Sequence, residues 1–267
     1  MDQTQTMSDY KSLAREIRKD VLALVHKGQT SHIASNFSLV DIATVLYENL
    51  KPEDEVIWSK GWASALYYVL NIRKGNLDRE EVFNTFPNEP YGALLEPPHQ
   101  PVPTGSCGHG LPVAVGMAYA KKLSGEPGIV YCIMSDGELN EGTSWEASLL
   151  ASKLNLDNLI VLIDKNGWQA MGRTDEILPS VFPNWTTHDK FPGWYGRGCD
   201  GHNHELMADF ILNEPKRLKE AGCPPQPIYF MLETIKGKGV KMFENKILYH
   251  YKHIDKETYV KALKELE

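Results

Sequence analysis

The chain is 267 residues long, with 28 Lys and Arg against 35 Asp and Glu for a formal net charge of −7, and with 42% hydrophobic and 24% charged residues. That composition is globular and excludes disordered, collagen-like and low-complexity classes; the acidic balance, without a basic run, excludes a nucleic-acid surface. No apolar stretch reaches the roughly 18–20 residues that a bilayer crossing needs, the opening MDQTQTMS has neither a basic start nor an apolar h-region, and the four cysteines form no metal pattern, so a reduced cytoplasmic protein with no membrane contact is expected.

Residues 8–27 place Leu13, Ile17, Val21, Leu24 and Val25 at helical spacing, with Ser8 positioned to cap and Gly28 to stop. Ser38 followed by Asp41 has the spacing of a capping box, which predicts a second helix from Ser38 to about Leu50. Further helices are expected at 61–72 and 78–85. Between Asn84 and Pro112 fall seven of the 16 prolines, so an ordered functional loop is expected there. A helix over Leu111–Leu123 follows, then an apolar strand at Ile129–Met134, a helix at Thr143–Leu154 and a second apolar strand at Leu159–Ile163. Residues 203–221 read as a helix and Ile228–Glu233 as a strand. Strands without polar alternation are covered on both faces, and strand–helix–strand order predicts an α/β fold with a parallel sheet wrapped by helices. No linker or repeat divides the chain, so one domain over 1–267 is expected.

In such sheets ligands gather beyond the carboxyl ends of the strands. Two segments occupy that address: Ser135-Asp136-Gly137-Glu138-Leu139-Asn140-Glu141-Gly142, and Asp164-Lys165-Asn166-Gly167-Trp168-Gln169. Asp136 and Asn166 offer two side-chain oxygens to a hard cation such as Mg²⁺, which prefers oxygen ligands completed by phosphates and water. Asp-Gly and Asn-Gly are also ordinary turn dipeptides. Their joint position at two strand ends, thirty residues apart with a helix between, favours a site.

SDGELNEG with Asn166 thirty residues after its Asp resembles the thiamine-diphosphate motif of the transketolase family. Ser31-His32-Ile33-Ala34-Ser35-Asn36 agrees, as do Thr104-Gly105-Ser106-Cys107-Gly108-His109-Gly110 and Thr234-Ile235-Lys236-Gly237-Lys238-Gly239-Val240 leading to His250. The resemblance covers residues 10–265 and corresponds to the N-terminal, diphosphate-binding part of a transketolase carried on a separate chain. It implies the thiamine-diphosphate-binding fold, with thiamine diphosphate and Mg²⁺ (or Ca²⁺ or Mn²⁺) as cofactors. By the same resemblance Asp136, Asn166 and the Trp168 carbonyl would hold the metal. Gly105 and Gly137 would offer backbone donors to the diphosphate, with Ser106, Cys107, Glu138 and His250 beside them. His32 would lie at the reacting carbons of the substrate, His250 and His99 would be further site histidines, and Glu141 and Glu146 would line the interface between subunits.

One departure stands out. Ser59-Lys60-Gly61-Trp62-Ala63 follows a family pattern that has a substrate-contacting histidine where Trp62 stands. An indole N–H donates one hydrogen bond and accepts none. The family's pyrimidine-binding half, whose acid activates the cofactor, has no counterpart in these residues. The resemblance therefore implies a separate C-terminal transketolase-like partner, an α₂β₂ assembly, and a transferase moving a two-carbon ketol unit between sugar and aldehyde substrates. Two alternatives stay open: a 2-oxoacid decarboxylating or acyloin-forming enzyme, favoured by Trp62, and a non-catalytic scaffold of the same fold. The aromatics Phe182, Trp185, Phe191, Trp194 and Tyr195 are expected in the core or at the partner contact.

Overall fold

The computed structural model describes residues 7–86, 102–177 and 191–267. Five strands, β1 (Glu55–Trp58), β2 (Val130–Ser135), β3 (Leu159–Lys165), β4 (Tyr195–Asp200) and β5 (Ile228–Glu233), form one sheet in the order β1-β2-β3-β5-β4. Every neighbouring pair is parallel. Parallel pairing needs a crossover after each strand, and the helices supply it. They are α1 (Met7–Gly28), α2 (Ile33–Asn49), α3 (Ser64–Arg73), α4 (Arg79–Thr85), α5 (Gly110–Ser124), α6 (Gly142–Lys153), α7 (Thr174–Ile177), α8 (His204–Glu220) and α9 (Lys256–Glu265).

The apolar strands feed two cores, one on each face of the sheet. Alternate residues Tyr131, Ile133, Ile160, Leu162, Phe230 and Leu232 join α1, α2, α3 and α8. The intervening Val130, Cys132, Met134, Leu159, Val161 and Ile163 join α5 and α6. Burial on both faces is what the unbroken runs in β2, β3 and β5 predict. Among the described residues no helix is long and apolar enough to cross a membrane.

Most predicted elements lie within a residue or two of their observed ends, but the start of α2 does not. It begins at Ile33, five residues before Ser38. The Ser38 hydroxyl is inside the helix and donates to Ser35 O (3.2 Å) and to Asp164 Oδ2 (2.7 Å), while Asp41 is engaged by Arg18, His202 and His204. The apparent capping box is thus two buried polar residues with long-range partners. Ser8 likewise lies within α1, which begins at Met7. Three of the expected aromatics are described: Phe191 and Trp194 are buried in the second core and Tyr195 packs on the first. Phe182 and Trp185 lie outside the described residues.

The loop before α5 sits over the end of β1 because glycines let backbones meet. A side chain at Gly61 would stand 2.6 Å from the Gly105 nitrogen, and one at Gly110 would run into Ser59. That contact brings Cys107 and Trp62 to the carboxyl end of the sheet, where the site lies.

Candidate active site

After β2 the chain turns through a 3-10 segment, Asp136–Asn140, opened by Ser135 and closed back on it by Glu138. Asp136 is 3% exposed. Its carboxylate accepts from Gly137 N (2.9 Å), from Gly167 N (2.8 Å) and from Thr174 Oγ1 (3.0 Å). The bond to Gly167 joins the mouths of β2 and β3. Asn166 Oδ1 accepts from Trp168 N (3.0 Å), and its Nδ2 donates to Asp164 Oδ2 (3.3 Å). Burial, with the charge of Asp164 added, pushes the Asp136 carboxyl up to about 6. A group so placed gains from a cation brought alongside.

Beneath this turn lies a fully buried ion pair, Lys60 with Asp164. Burial alone would raise the Asp164 carboxyl; the Lys60 ammonium and the hydroxyls of Thr234 and Ser38 outweigh it and hold the group below the usual carboxylate range. Lys60 Nζ also donates to Ser35 O (2.8 Å). A second buried lysine, Lys236, 1% exposed, donates to His250 Nδ1 (2.9 Å) and reaches Trp168 O at 3.4 Å. Burial, then repulsion from Lys60, lowers its amine to about 8. Two buried ammonium groups beside one pocket mark it as a place for anionic oxygen.

His32 is the N-cap of α2, in the left-handed region at φ 67°, and its amide donates to His250 O (3.0 Å). Its ring stacks on Trp62 with centroids 5.0 Å apart and meets His250 at 5.0 Å and Tyr251 at 5.4 Å. Ser31 Oγ lies 2.6 Å from its Nδ1. Burial and the charges of Lys236 and Lys60 bring His32 down to about 4, and burial with Lys236 brings His250 to about 3. Both rings are therefore neutral at pH 7. Donation by Lys236 to Nδ1 of His250 leaves that ring's proton on Nε2. Cys107 lines the same pocket as Trp62, and its thiol is pushed up by burial and by Glu138. His32, Lys60, Trp62, Asn166, Lys236 and His250 line a cavity of about 480 Å³, with Gly137 and Cys107 on its wall and Glu141 at its edge.

Other expected residues are placed differently. Glu138 is 1% exposed, and its carboxylate is taken by Ser59, by Gly108 N (3.1 Å) and by Ser135 N (2.8 Å), so it braces three segments and does not face the cavity. Gly137 N–H already serves Asp136. Gly105 packs on Gly61, and Ser106 is exposed. Glu146 is exposed on α6, as a residue facing another subunit would be in the single chain. His99 lies outside the described residues. Lys60, Asp164, Lys236 and Gln169 carry site chemistry that spacing did not single out.

Among the described residues no group of three or more His, Cys, Asp or Glu could hold a metal. The available donors are oxygens of other kinds: one Asp136 carboxylate, the Asn166 amide oxygen and the Trp168 carbonyl. That set fits Mg²⁺ completed by phosphate oxygens and water. Gln169 adds a buried amide nitrogen, Nε2, that has no hydrogen-bond partner among the described residues. A bound anion would satisfy it.

The fold is that of the thiamine-diphosphate-binding class of α/β proteins. The family profile described as 1-deoxy-D-xylulose-5-phosphate synthase matches residues 3–217. The 6-deoxy-6-sulfo-D-fructose transketolase subunit SqwG of Clostridium sp. (strain MSTE9) is 33% identical, over 97% of this chain and 96% of its own length. An apulose-4-phosphate transketolase subunit from Phocaeicola vulgatus is 32% identical, over 93% of this chain and 90% of its own. The crystal structure of transketolase from Campylobacter jejuni superposes with a TM-score of 0.79 at 26% identity, covering 96% of this chain and 42% of that one. This chain belongs to the transketolase family, and it spans less than half the length of the single-chain transketolases it matches.

Proposed function

We propose that this chain is the diphosphate-binding subunit of a two-chain, thiamine-diphosphate- and Mg²⁺-dependent transketolase that moves a two-carbon ketol unit from a ketose phosphate to an aldehyde. The observation that carries the reading is the Asp136 to Gly167 bond, which sets a carboxylate, an amide oxygen and a carbonyl beside two buried lysines. Its similarity over nearly full length to proteins named as transketolase subunits supports the division between chains.

Bound thiamine diphosphate supplies the nucleophilic carbon that carries the two-carbon unit. Asp136, Asn166 and the Trp168 carbonyl hold the divalent ion. Lys236, the His250 Nε2–H and the orphaned Gln169 amide bind diphosphate oxygens. Neutral His32, its Nδ1 beside Ser31 and its ring lining the pocket, would hold or move a proton at Nε2 during the transfer. Tyr251 and Met171, exposed residues that line the pocket, offer apolar area to the partner.

The stack of Trp62 on His32 favours one second reading, a 2-oxoacid donor, because it replaces a histidine's acceptor by an indole face. The test is reconstitution with the pyrimidine-binding partner, scoring ketol transfer from a ketose phosphate against CO₂ release from pyruvate. Ketol transfer, lost about 100-fold or more in Asp136→Ala, is expected. CO₂ release alone selects the second reading, and full activity of Asp136→Ala overturns both.

A further inference from the structure

Away from the pocket, on the far side of α2, a buried carboxylate gathers three basic side chains. Asp41, 4% exposed, accepts from Arg18 Nη2 (2.6 Å) and Nη1 (3.2 Å), meets His202 Nδ1 at 2.6 Å, and lies 3.0 Å from His204 Nε2. Burial alone would raise its carboxyl, but the Arg18 charge and the histidine hydrogen bonds hold it well below the usual range. Among the described residues no hydrogen bond joins this cluster to a residue lining the pocket. Its outer bonds, however, converge on one short loop.

His202 Nε2 accepts the amide of Ile235 (2.9 Å), which fixes the ring's proton on Nδ1, facing Asp41. Arg18 Nε donates to Lys238 O (2.9 Å). Asp41 thus holds the backbone one residue before Lys236 by one arm and two residues after it by the other. Between the arms, Gly237 N donates to Ala34 O (3.0 Å) and Lys236 O accepts from Asn245 N (2.9 Å). The loop runs close enough to Arg18 that a side chain at Gly239 (φ +100°) would stand 2.9 Å from Arg18 Cδ. A lysine carries four rotatable bonds, so where its ammonium sits depends on where its backbone is pinned.

We propose that Asp41 is a positioning residue for the diphosphate pocket, clamping the 234–240 loop through His202 and Arg18 so that Lys236 is delivered to Trp168 and His250. A buried ion pair adds little net stability compared with apolar packing of the same volume. What it does supply is fixed geometry, because the carboxylate, the imidazole and the guanidinium each have directional bonds that a repacked apolar cluster lacks. The inference rests on the diphosphate reading of the pocket, and its test separates the two.

The full-length chain is titrated calorimetrically with magnesium pyrophosphate and with magnesium thiamine diphosphate, as wild type, His202→Phe, His202→Gln, Lys236→Met and the His202→Phe/Lys236→Met pair. His202→Phe cuts one arm and leaves Asp41 paired with Arg18 and His204; an affinity loss of about tenfold is expected, the lower end of the range for supporting residues around bound ions. Gln offers a donor and an acceptor and should recover most of it. In the Lys236→Met background, His202→Phe should cost less than about twofold more, since the clamp acts through that lysine. Hydrogen exchange of the amides at 235–240 should quicken in His202→Phe and stay slow in His202→Gln. Arg18→Lys, which keeps the charge but lacks the Nε–H that serves Lys238 O, cuts the other arm and serves if His202→Phe does not fold. Unchanged affinity in a folded His202→Phe or Arg18→Lys chain, losses that simply add to that of Lys236→Met, or unaltered exchange in the loop would overturn the proposal. If the wild type binds neither ligand, the diphosphate reading fails first and the inference goes with it.

Discussion

At the scale of single residues the pocket is governed by charges taken out of water. Lys60 and Asp164 are both essentially inaccessible and are satisfied by one another, by Ser35, by Ser38 and by Thr234. Removing one partner leaves the other as an uncompensated buried charge, which costs about 3–5 kcal/mol. Lys60→Met should therefore lower unfolding free energy by that amount in urea titration, and adding Asp164→Asn should return most of it. If Lys60→Met cost no more than a surface substitution, the pair would contribute nothing to the fold. The legibility of the site follows from the same physics. Asp136 and Asn166 can be read from the chain because each ends an apolar strand and starts a glycine turn. Lys60, Asp164 and Lys236 cannot, since their meaning lies in partners 104 and 68 positions away. Ser38 and Asp41 show the converse, a local pattern that suits a helix start and is overridden by those distant bonds.

Among the elements, the strands and helices that were readable are those whose period or apolar run is long enough to stand alone, such as β2, β3 and α1. β1, four residues long, and β4, with Gly196 and Gly198 in a six-residue edge strand, have too little pattern to announce themselves. α9 also escaped the reading of the chain, although Asp255 caps it through Thr258 N (2.8 Å). In β4 the two glycines have different reasons. A side chain at Gly196 would run into the Tyr229 ring, which is 1% exposed in the second core; at Gly198 the nearest atom, Met231 O, lies at an ordinary 3.5 Å. Gly196→Ala should then destabilise by about 1–3 kcal/mol through overpacking. Gly198→Ala should stay within about 0.5 kcal/mol of wild type in the same chemical denaturation series. Equal effects would mean that the edge strand yields freely and that Tyr229 does not fix its position.

For the molecule as a whole, the carboxyl ends of the strands collect ionisable groups whose shifts oppose one another. His32 falls to about 4 in the folded chain from an ordinary value near 6.5, mainly by burial and then by Lys236 and Lys60, and His250 falls to about 3. Between pH 6.5 and 4 the unfolded chain binds protons at these rings and the folded chain does not, so stability drops as pH falls, by up to about 1.4 kcal/mol per pH unit for His32. Asp136 works the other way. Its folded value, about 6, lies above the unfolded one, so the folded chain takes up the proton first, and acid relieves a cost present at neutral pH. The two tendencies partly cancel in the wild type. Asp136→Asn removes the compensating uptake and leaves the histidines, so its stability should fall more steeply between pH 6.5 and 5 than that of the wild type, by about 1 kcal/mol per unit. Saturating magnesium pyrophosphate should steepen the wild type in the same direction, because an ion against the carboxylate keeps it charged. Denaturant midpoints at half-unit pH steps decide the matter: parallel slopes for wild type and Asp136→Asn would mean that Asp136 is already ionised through this range and that burial does not hold its proton.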